Sequence, residues 1–351
     1  MTAAQSESDA SLLARLPKAE LHLHLEGCIT PELLIRLAEQ HGEKLDYKAV
    51  APRYQIGSFL EFLELFKWAT SYLRRPSDYA QLAADALREL NGQNCRYAEI
   101  TLSVGVMLLR RQNVEANLAS ILEAAQKQEQ ATRLQIAWIF DAVRQFGPEK
   151  AMEVARLAVQ MKSQGVVAFG IGGDEESLPA SDFHKVFDYA AAEGLHRVAH
   201  AGEMGGPQSI RDAIEILGAE RIGHGISAIH DEKLMDLLIE RQIPLEICPK
   251  SNLCTGALAK LLSVKQARIE DHPLPKFVAR GVPVTLATDD PAMFRTSLNE
   301  TYAQAASKMG LTTAQLVSIA EAGILHSFLP AAEKQSLLDH FRAAASQLSL
   351  L

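Results

Sequence analysis

Residues 18–27 read KAELHLHLEG, and this stretch decides the fold because its alternation of apolar and polar residues is typical of a β-strand. In a strand, residues i and i+2 point to the same side, so His22 and His24 project from one face. Gly27 lets the chain turn just beyond them. Two neighbouring imidazoles can chelate a metal, and imidazole suits zinc. The pair alone is as compatible with structural histidines as with a metal site, so the rest of the chain has to decide.

The composition is that of a globular protein with a sizeable core. The chain has 351 residues, of which 48% are hydrophobic and 22% are charged, and its net charge is −8. These fractions are ordinary for a folded protein. The acidic balance disfavours binding to nucleic acid or to an anionic membrane, since both need a basic face.

The sequence shows no sign of export or of a membrane span. Its first ten residues lack the basic flank and apolar core of a secretory signal, and no apolar run approaches the length of a membrane span. The four cysteines show neither CxxC spacing nor a disulfide framework. We therefore expect a cytoplasmic protein.

Short β-rich runs recur along the chain and are separated by longer helical patterns. Beyond the first stretch they cover residues 96–102, 134–140, 166–171, 196–200, 221–224, 243–248 and 282–288. Eight strands that alternate with helices predict an α/β fold of one (β/α)8 TIM barrel. Two smaller doubly wound domains are the alternative, but no Gly-rich phosphate loop follows a strand and no linker divides the chain. We expect a single domain over residues 1–351.

The connection after the first strand is much longer than the others. Within it, residues 58–68 (SFLEFLELFKW) carry apolar side chains on more than one helical face, which a helix that only coats a barrel does not need. They form either extra core or a helical lid, over about residues 50–80, that offers Phe59 and Phe62 to a flat ligand. The final segment, about residues 312–351, is interpreted as a helical extension that packs on the barrel.

Polar residues collect at the carboxyl ends of the predicted strands, where a TIM barrel places its chemistry. They are His22 and His24 on strand one, His200 and Glu203 after strand five, His224 after strand six, and Asp289 and Asp290 after strand eight. A single such group is often solvated. Imidazole and carboxylate groups from four strands at one mouth indicate a metal site.

The residue types suggest a division of roles. A catalytic zinc takes about three or four protein ligands and keeps a position open for water. His22, His24, His200 and Asp289 make such a set. Glu203 is displaced from the strand and can reach a substrate, and Asp290 points towards a substrate donor. His224 is placed either to accept a proton from the water or to stabilise the hydroxide. The histidines in helix or loop settings are interpreted as structural: His41, His184, His196, His230, His272 and His326.

Six motifs follow one another in order over roughly residues 15–330. They are HLHLEG at 22–27, GGDE at 172–175, HAGE at 200–203, GHG at 223–225, CPKSN at 248–252 with TGA at 255–257, and TDDP at 288–291. Each is weak alone, but together they are specific. In this order they resemble the adenosine deaminase family of zinc hydrolases.

The resemblance implies a hydrolytic deaminase of aminopurines with one Zn²⁺ per chain on His22, His24, His200 and Asp289. It also implies that His224 and Asp289 deprotonate and orient a water for attack on C6 while Glu203 protonates N1. Asp290 would hydrogen-bond N7, and the backbone N–H of Gly173 would face N3. Ammonia would then leave from a tetrahedral intermediate. The site is not of the cytidine-deaminase type, because the PCxxC spacing of that site does not occur.

The sequence departs from the family pattern where the N9 substituent of the substrate would bind. Glu26 stands where adenosine deaminases commonly have an aspartate associated with the ribose 5′-hydroxyl, and it resembles the adenine deaminase branch. In contrast, the TGA motif looks like the nucleoside-deaminating branch. Arg144 is either a solvated loop charge or the partner of an acidic substituent, which would suit aminodeoxyfutalosine, whose benzoate replaces the 5′-hydroxyl.

We expect an adenosine-type nucleoside as substrate, with aminodeoxyfutalosine or free adenine as alternatives. The predicted substrate-binding residues are His24, Glu26, Phe59, Phe62, Arg144, Gly173 and Asp290. A non-catalytic metal-binding barrel would keep the ligands but need neither Glu203 nor His224. A two-metal amidohydrolase would have a bridging lysine after strand four, which here ends in glycine-rich residues 170–173. One metal and a small aminopurine partner, without nucleic acid or membrane, are therefore expected.

Overall fold

The computed structural model describes residues 11–350 and contains one sheet of eight parallel strands. The strands are β1 (Lys18–His24), β2 (Cys95–Leu102), β3 (Gln135–Val143), β4 (Val166–Gly172), β5 (His196–Ala201), β6 (Arg221–His224), β7 (Leu245–Ile247) and β8 (Val284–Leu286). They follow one another around the sheet in chain order. The first ten residues, on which the expectation of no secretory signal rests, lie outside the described part of the chain.

The sheet closes on itself between the end of β8 and β1. The N–H of Asp289 donates to the carbonyl of His22 at 2.9 Å, and the N–H of His24 donates to the carbonyl of Asp289 at 2.9 Å. The predicted (β/α)8 barrel is thus confirmed, and the alternative of two doubly wound sheets is wrong. The closure also brings two predicted metal ligands next to a third.

Helices follow the strands and cover the outside of the barrel. They are α1 (Pro31–Gln40), α2 (Tyr47–Val50), α3 (Phe59–Thr70), α4 (Pro76–Gly92), α5 (Val104–Leu109), α6 (Val114–Ala131), α7 (Gly147–Gln160), α8 (His184–Ala192), α9 (Pro207–Glu215), α10 (Glu232–Arg241), α11 (Pro249–Cys254), α12 (Ala257–Leu261), α13 (Leu274–Arg280), α14 (Pro291–Phe294), α15 (Leu298–Ser307), α16 (Thr313–Leu325) and α17 (Ala331–Gln347). Short 3₁₀ turns cover Glu26–Cys28, Ala51–Tyr54, Arg144–Phe146, Lys162–Gln164, Ala180–Phe183, Ile226–His230 and Ile269–Asp271.

Two strands are shorter than the sequence pattern predicts. β7 begins directly after Pro244 and β8 directly after Pro283. Proline has no N–H to donate to the ladder, so regular pairing starts one residue later. β3 is longer than predicted and extends to Val143, which places Asp141 within the strand at the site end of the barrel.

The helix α3 packs over the site end of the barrel. Its first turn is capped by Ser58, whose hydroxyl accepts from the N–H of Glu61 at 3.2 Å. Leu65 is buried in the core, whereas the ring of Phe62 packs on Phe294 of α14 with centroids 5.1 Å apart. The apolar residues on more than one face of this helix therefore contribute both to the core and to a cavity wall.

The C-terminal segment contains two helices with different positions. α16 packs directly against β8 and β1, where it takes the place of the eighth outer helix of the barrel. Gly323 on this helix lies so close to Ala19 that an added Cβ would be 3.5 Å from the alanine Cβ. α17 packs mainly on α16. Within residues 11–350, no helix is both long enough and apolar enough to cross a membrane.

Candidate active site

Four predicted ligands meet at the carboxyl ends of the strands. His22 and His24 lie on β1, His200 lies on β5, and Asp289 follows β8. Their potential ligand atoms all lie within 4.8 Å of one another. The Nε2 atoms of His24 and His200 are 3.2 Å apart. Asp289 Oδ1 is 3.4 Å from the Nε2 atoms of both His22 and His24.

These distances fit a tetrahedral metal. With metal–nitrogen distances of about 2.0–2.1 Å, two ligand atoms of a tetrahedron lie about 3.3–3.4 Å apart. The three separations above are close to that value. In addition, the Nε2 atom of His22 is buried without a hydrogen-bond partner, although it is a polar atom that normally requires one. The donor set of three imidazoles and one carboxylate therefore fits a single divalent ion.

Buried hydrogen bonds orient two of the imidazoles. His22 Nδ1 lies 2.8 Å from Glu246 Oε2, and His200 Nδ1 lies 3.1 Å from the carbonyl oxygen of Ile171. Both acceptors hold the proton on Nδ1 and leave Nε2 free for a metal. Glu246 in turn accepts from Arg221 Nε at 2.6 Å, and the same guanidinium donates to Glu99. No local sequence pattern links the four strands that supply this network, β1, β2, β6 and β7, so it could not be predicted.

Glu203 and His224 face each other beside the ligand set. His224 Nε2 is 3.7 Å from Glu203 Oε2, and Thr255 Oγ1 is 3.1 Å from Glu203 Oε1. Burial, together with the charges of Asp289 and Glu175, raises the pKa of Glu203 to about 8. Burial lowers the pKa of His224 to about 3. At neutral pH the site thus presents a protonated carboxyl group and a neutral imidazole.

Two predicted ligands of the purine base, Asp290 and Gly173, also lie at this end of the barrel. Asp290 is buried with no partner for Oδ1, and burial beside Asp289 raises its pKa well above the usual value. Gly27 packs so tightly on Asp290 that an added Cβ would lie 2.1 Å from its carboxylate, which explains the glycine. Gly173 has a φ of +90° and lines the cavity described below.

A cavity of about 420 Å³ opens beside the ligand set. One part of its lining consists of His24, His200, Glu203, His224, Asp289 and Asp290. Another part is apolar and comes from α3, α5 and the segment around the end of β3: Phe59, Phe62, Leu63, Phe66, Val106, Leu109, Val143 and Phe146. Lys67 and Arg110 are the two cationic residues of the lining. The structure therefore brings Phe59 and Phe62 to the same cavity as the predicted ligands.

Two predicted substrate contacts lie outside the lining of this cavity. Glu26 is buried, with Oε1 accepting from the N–H of Ser103 at 3.1 Å, and burial raises its pKa to about 7. Arg144 is only 3% exposed and donates to the carbonyls of Leu178 and His200 at 3.2 and 3.4 Å. This burial contradicts the alternative in which Arg144 is a solvated loop charge, and a contact between Arg144 and the substrate stays a prediction. Its guanidinium links the loop after β4, through Leu178, to β5, through His200.

A clamp by Glu175 was also missed. Its carboxylate accepts from four consecutive backbone N–H groups, those of residues 202–205, including Glu203 N at 3.1 Å and Gly205 N at 2.7 Å. The loop that contains Gly173 is thereby fixed to the loop that contains Glu203. The GGDE motif at residues 172–175 is part of the family resemblance, but the sequence pattern does not predict which groups hydrogen-bond to its glutamate. Asp141, a buried carboxyl group in the cavity lining, had no sequence signal.

Comparison with known proteins agrees with this geometry. The profile described as "Adenosine deaminase" matches residues 17–344. An aminodeoxyfutalosine deaminase of Streptomyces coelicolor is 38% identical over 334 residues, which cover 94% of this chain and 84% of that protein. An adenine deaminase of Agrobacterium fabrum is 31% identical over 327 residues, which cover 93% of this chain and 98% of that protein.

A solved structure of an adenine deaminase from Arthrobacter aurescens superposes with a TM-score of 0.87 at 29% identity, covering 94% of this chain and 99% of that one. Similarity thus extends over nearly the whole length in both sequence and structure. The chain belongs to the adenosine deaminase family and is a hydrolytic deaminase for substrates of the adenosine, adenine or aminodeoxyfutalosine type.

Proposed function

We propose that this protein is a zinc-dependent deaminase that converts the 6-amino group of an adenosine-type aminopurine nucleoside to a 6-oxo group and releases ammonia. The strongest support is that Glu203, with its raised pKa, and a neutral His224 line one cavity together with His24, His200 and Asp289 of the ligand set. A barrel that only stored a metal would have no need for a carboxyl group with a raised pKa beside it.

The metal would be held by His22, His24, His200 and Asp289. Three imidazoles and one carboxylate suit zinc. When bound, zinc would supply a water activated for attack at neutral pH. The residues around it would then bind and orient the aminopurine and move protons.

Protons are proposed to move through Glu203. Its pKa, about 8 in the site without a cation, favours the protonated carboxyl group, which can donate to N1 of the purine as the oxygen of water adds to C6. One proton of the water finishes on the departing ammonia, and the other restores Glu203. The net reaction therefore needs no further proton source.

The purine base is proposed to bind by its N3 and N7 edge. Burial beside Asp289 raises the pKa of Asp290, and its unpartnered Oδ1 would donate to N7 when the carboxyl group is protonated. Gly173 offers its backbone N–H to N3, and its positive φ is a conformation that glycine adopts without strain. These two contacts would fix the ring with C6 towards the ligand set.

The remaining lining supports a large N9 substituent. Free adenine would leave the apolar part of the lining, from α3 and α5, without a partner. An aromatic group would pack on Phe59, Phe62 and Phe66, and an acidic group on it would be attracted to Lys67 and Arg110. Within the nucleoside class, we therefore favour an aminodeoxyfutalosine-type substrate, and the similarity to aminodeoxyfutalosine deaminases supports this choice.

An ammonia-release assay on the zinc-loaded chain tests the proposal. Adenine, adenosine, deoxyadenosine, methylthioadenosine and aminodeoxyfutalosine are compared at equal enzyme concentration, with Glu203→Gln as the inactive control. We expect the highest kcat/KM for aminodeoxyfutalosine, a lower one for adenosine and the lowest for adenine. A chain that binds one zinc but releases no ammonia from any of them would be a metal-binding barrel. A preference for adenine would refute the assignment of the apolar lining.

A further inference from the structure

A row of three buried polar side chains runs from a backbone N–H to the active site. The N–H of Leu274 donates to His272 Nδ1 at 3.1 Å. His272 Nε2 is 3.2 Å from Asn252 Oδ1, and Asn252 Nδ2 is 3.1 Å from His224 Nδ1. His272, Asn252 and His224 are all at least nine-tenths buried, so no solvent competes for these contacts.

The first contact fixes the direction of all the others. A backbone N–H can only donate, so His272 Nδ1 must be an unprotonated acceptor and the ring proton must be on Nε2. That N–H donates to Asn252, which therefore presents its oxygen to His272. The amide nitrogen of Asn252 then faces His224 and donates to its Nδ1.

His224 is the end of this row. Because Nδ1 accepts from Asn252, the proton of the neutral ring is on Nε2. Nε2 faces the reaction space, 3.7 Å from Glu203 Oε2 and 3.9 Å from Asp289 Oδ2. His224 also has a φ of +61°, an unusual value for a residue with a side chain, which indicates that its position is imposed by its surroundings.

We propose that Asn252 and His272 are positioning residues that fix His224 in the tautomer with its proton on Nε2. In this tautomer His224 donates a hydrogen bond to the attacking oxygen and does not accept a proton from that oxygen. This inference rests on the proposed function for the identity of the attacking group. Of the two roles considered for His224, stabilisation of the hydroxide is the one compatible with the row. His272, interpreted as structural from its sequence setting, then acts through Asn252.

The tautomer itself can be observed without any activity. In zinc-loaded protein labelled with ¹⁵N-histidine, the ¹⁵N shifts and two-bond couplings of each ring distinguish a protonated from an unprotonated nitrogen. We expect unprotonated Nδ1 and protonated Nε2 for both His224 and His272, assigned by the signals lost in His224→Gln and His272→Gln. A protonated Nδ1 on His224 would overturn the proposal.

Substitutions at Asn252 test the consequence for catalysis. Asp at this position can only accept, so Asn252→Asp favours the opposite tautomer of His224. Inversion of a catalytic histidine tautomer costs about 10⁴-fold in kcat in serine proteases, and we expect a loss of about 10²–10⁴-fold here with KM and zinc content within about twofold. Asn252→Leu removes the donor without adding charge, and about tenfold is expected from loss of one buried hydrogen bond.

A matched pair of variants at His272 separates the hydrogen bond from packing. His272→Gln can still donate from its amide to Asn252, so this variant should retain most of the parent kcat. His272→Leu cannot donate, and its kcat should fall by about as much as that of Asn252→Leu. His230→Gln, which changes a surface histidine bonded to the Leu261 carbonyl, is the control. Equal kcat for Gln and Leu at position 272 would mean that the donor is irrelevant and would refute the role of His272.

The two proposals fail in different ways. If the parent chain releases no ammonia from any aminopurine, the proposed function is wrong, and the ¹⁵N spectra still decide for or against the tautomer. Suppose instead that the parent chain is active, and that the variants Asn252→Asp and Asn252→Leu fold, bind zinc and keep kcat within about twofold of the parent. The proposed function then stands, and the positioning role is refuted.

Discussion

Replacement of Glu246 by Gln should weaken metal binding although the residue is not a ligand. Glu246 uses both oxygens as acceptors: Oε2 lies 2.8 Å from His22 Nδ1, and Oε1 accepts from Arg221 Nε at 2.6 Å. Both faces of this carboxylate are therefore occupied by donors. An amide of the same shape has only one oxygen, so one of the two donors must lose its acceptor.

Either orientation of the new amide disturbs the site. If its oxygen faces Arg221, its NH₂ group faces His22 Nδ1, which then has to be unprotonated. The proton moves to Nε2, the atom that points at His24 and Asp289 and that would have to bind the metal. If the oxygen faces His22, the NH₂ group meets the N–H of Arg221, and a buried donor is left unpaired.

The expected loss of zinc affinity can be estimated because Glu246 orients only one of the predicted metal ligands, His22. Loss of a group that orients a metal ligand typically costs about 10–100-fold in metal affinity, which is about 1.4–2.8 kcal/mol. We expect a fall of this size for Glu246→Gln, with partial recovery of activity at excess zinc. Zinc affinity is measured by competition with a chromophoric chelator, and the metal content by elemental analysis.

The matched control is Glu220→Gln. Glu220 Oε2 lies 2.8 Å from His196 Nδ1, the same pairing at the same distance, but both side chains are more than one-third exposed at the opposite end of β5. This variant should bind zinc as the parent does. Zinc affinity of Glu246→Gln within about twofold of the parent would refute the reasoning, because the expected loss is at least tenfold.

Three further predictions concern proton transfer, loop position and substrate choice. Glu203→Gln should lower kcat by about 10²–10⁴-fold with zinc content unchanged. In the parent enzyme kcat should fall as pH rises through the pKa of Glu203. This pKa should be at or below about 8, because a cation in the site favours the carboxylate. If the Glu203→Gln variant shows the same kcat–pH profile as the parent, the fall does not come from Glu203. Glu175→Gln should lower kcat about 10- to 100-fold, because a small misplacement of Glu203 lowers the rate of proton transfer. The control is Glu176→Gln, which changes the adjacent surface residue. Equal kinetics for the two variants would refute the role of Glu175 in positioning the loop. Lys67→Gln should lower kcat/KM for aminodeoxyfutalosine about 2- to 5-fold, the size of an exposed ion pair, with adenosine as the internal reference; an equal change for both substrates would exclude a specific charge contact.

The fold and the ligand set could be predicted because their signals are local. Alternation in a strand and periodicity in a helix are properties of adjacent residues, and the closed parallel sheet then follows from their order. Since all parallel strands of a barrel end at one mouth, residues as distant in sequence as His22 and Asp289 could be expected to meet there. The structure adds that they are hydrogen-bonded neighbours through their backbones.

Arg144 shows why the prediction of substrate contacts was weaker. Its position after the third strand correctly suggested the site end of the barrel, but the direction of a long side chain depends on where acceptors lie in the folded protein. The guanidinium donates to two carbonyl groups, those of Leu178 and His200, and Arg144 is not part of the cavity lining. The cavity wall instead contains Lys67 on α3 and Arg110 directly after α5.

The roles of the histidines were the least predictable part, because an imidazole is defined by what each nitrogen meets. His22, His224 and His272 are all buried, so burial does not distinguish their roles. The Glu246 carboxylate can only accept, so the proton of His22 is on Nδ1 and Nε2 is free for a metal. The N–H of Leu274 can only donate, and through the side chains of His272 and Asn252 it favours a proton on Nε2 of His224. The same kind of ring can therefore serve as a metal ligand in one place and as a hydrogen-bond donor in another, and the difference is decided by groups that lie far from it along the chain.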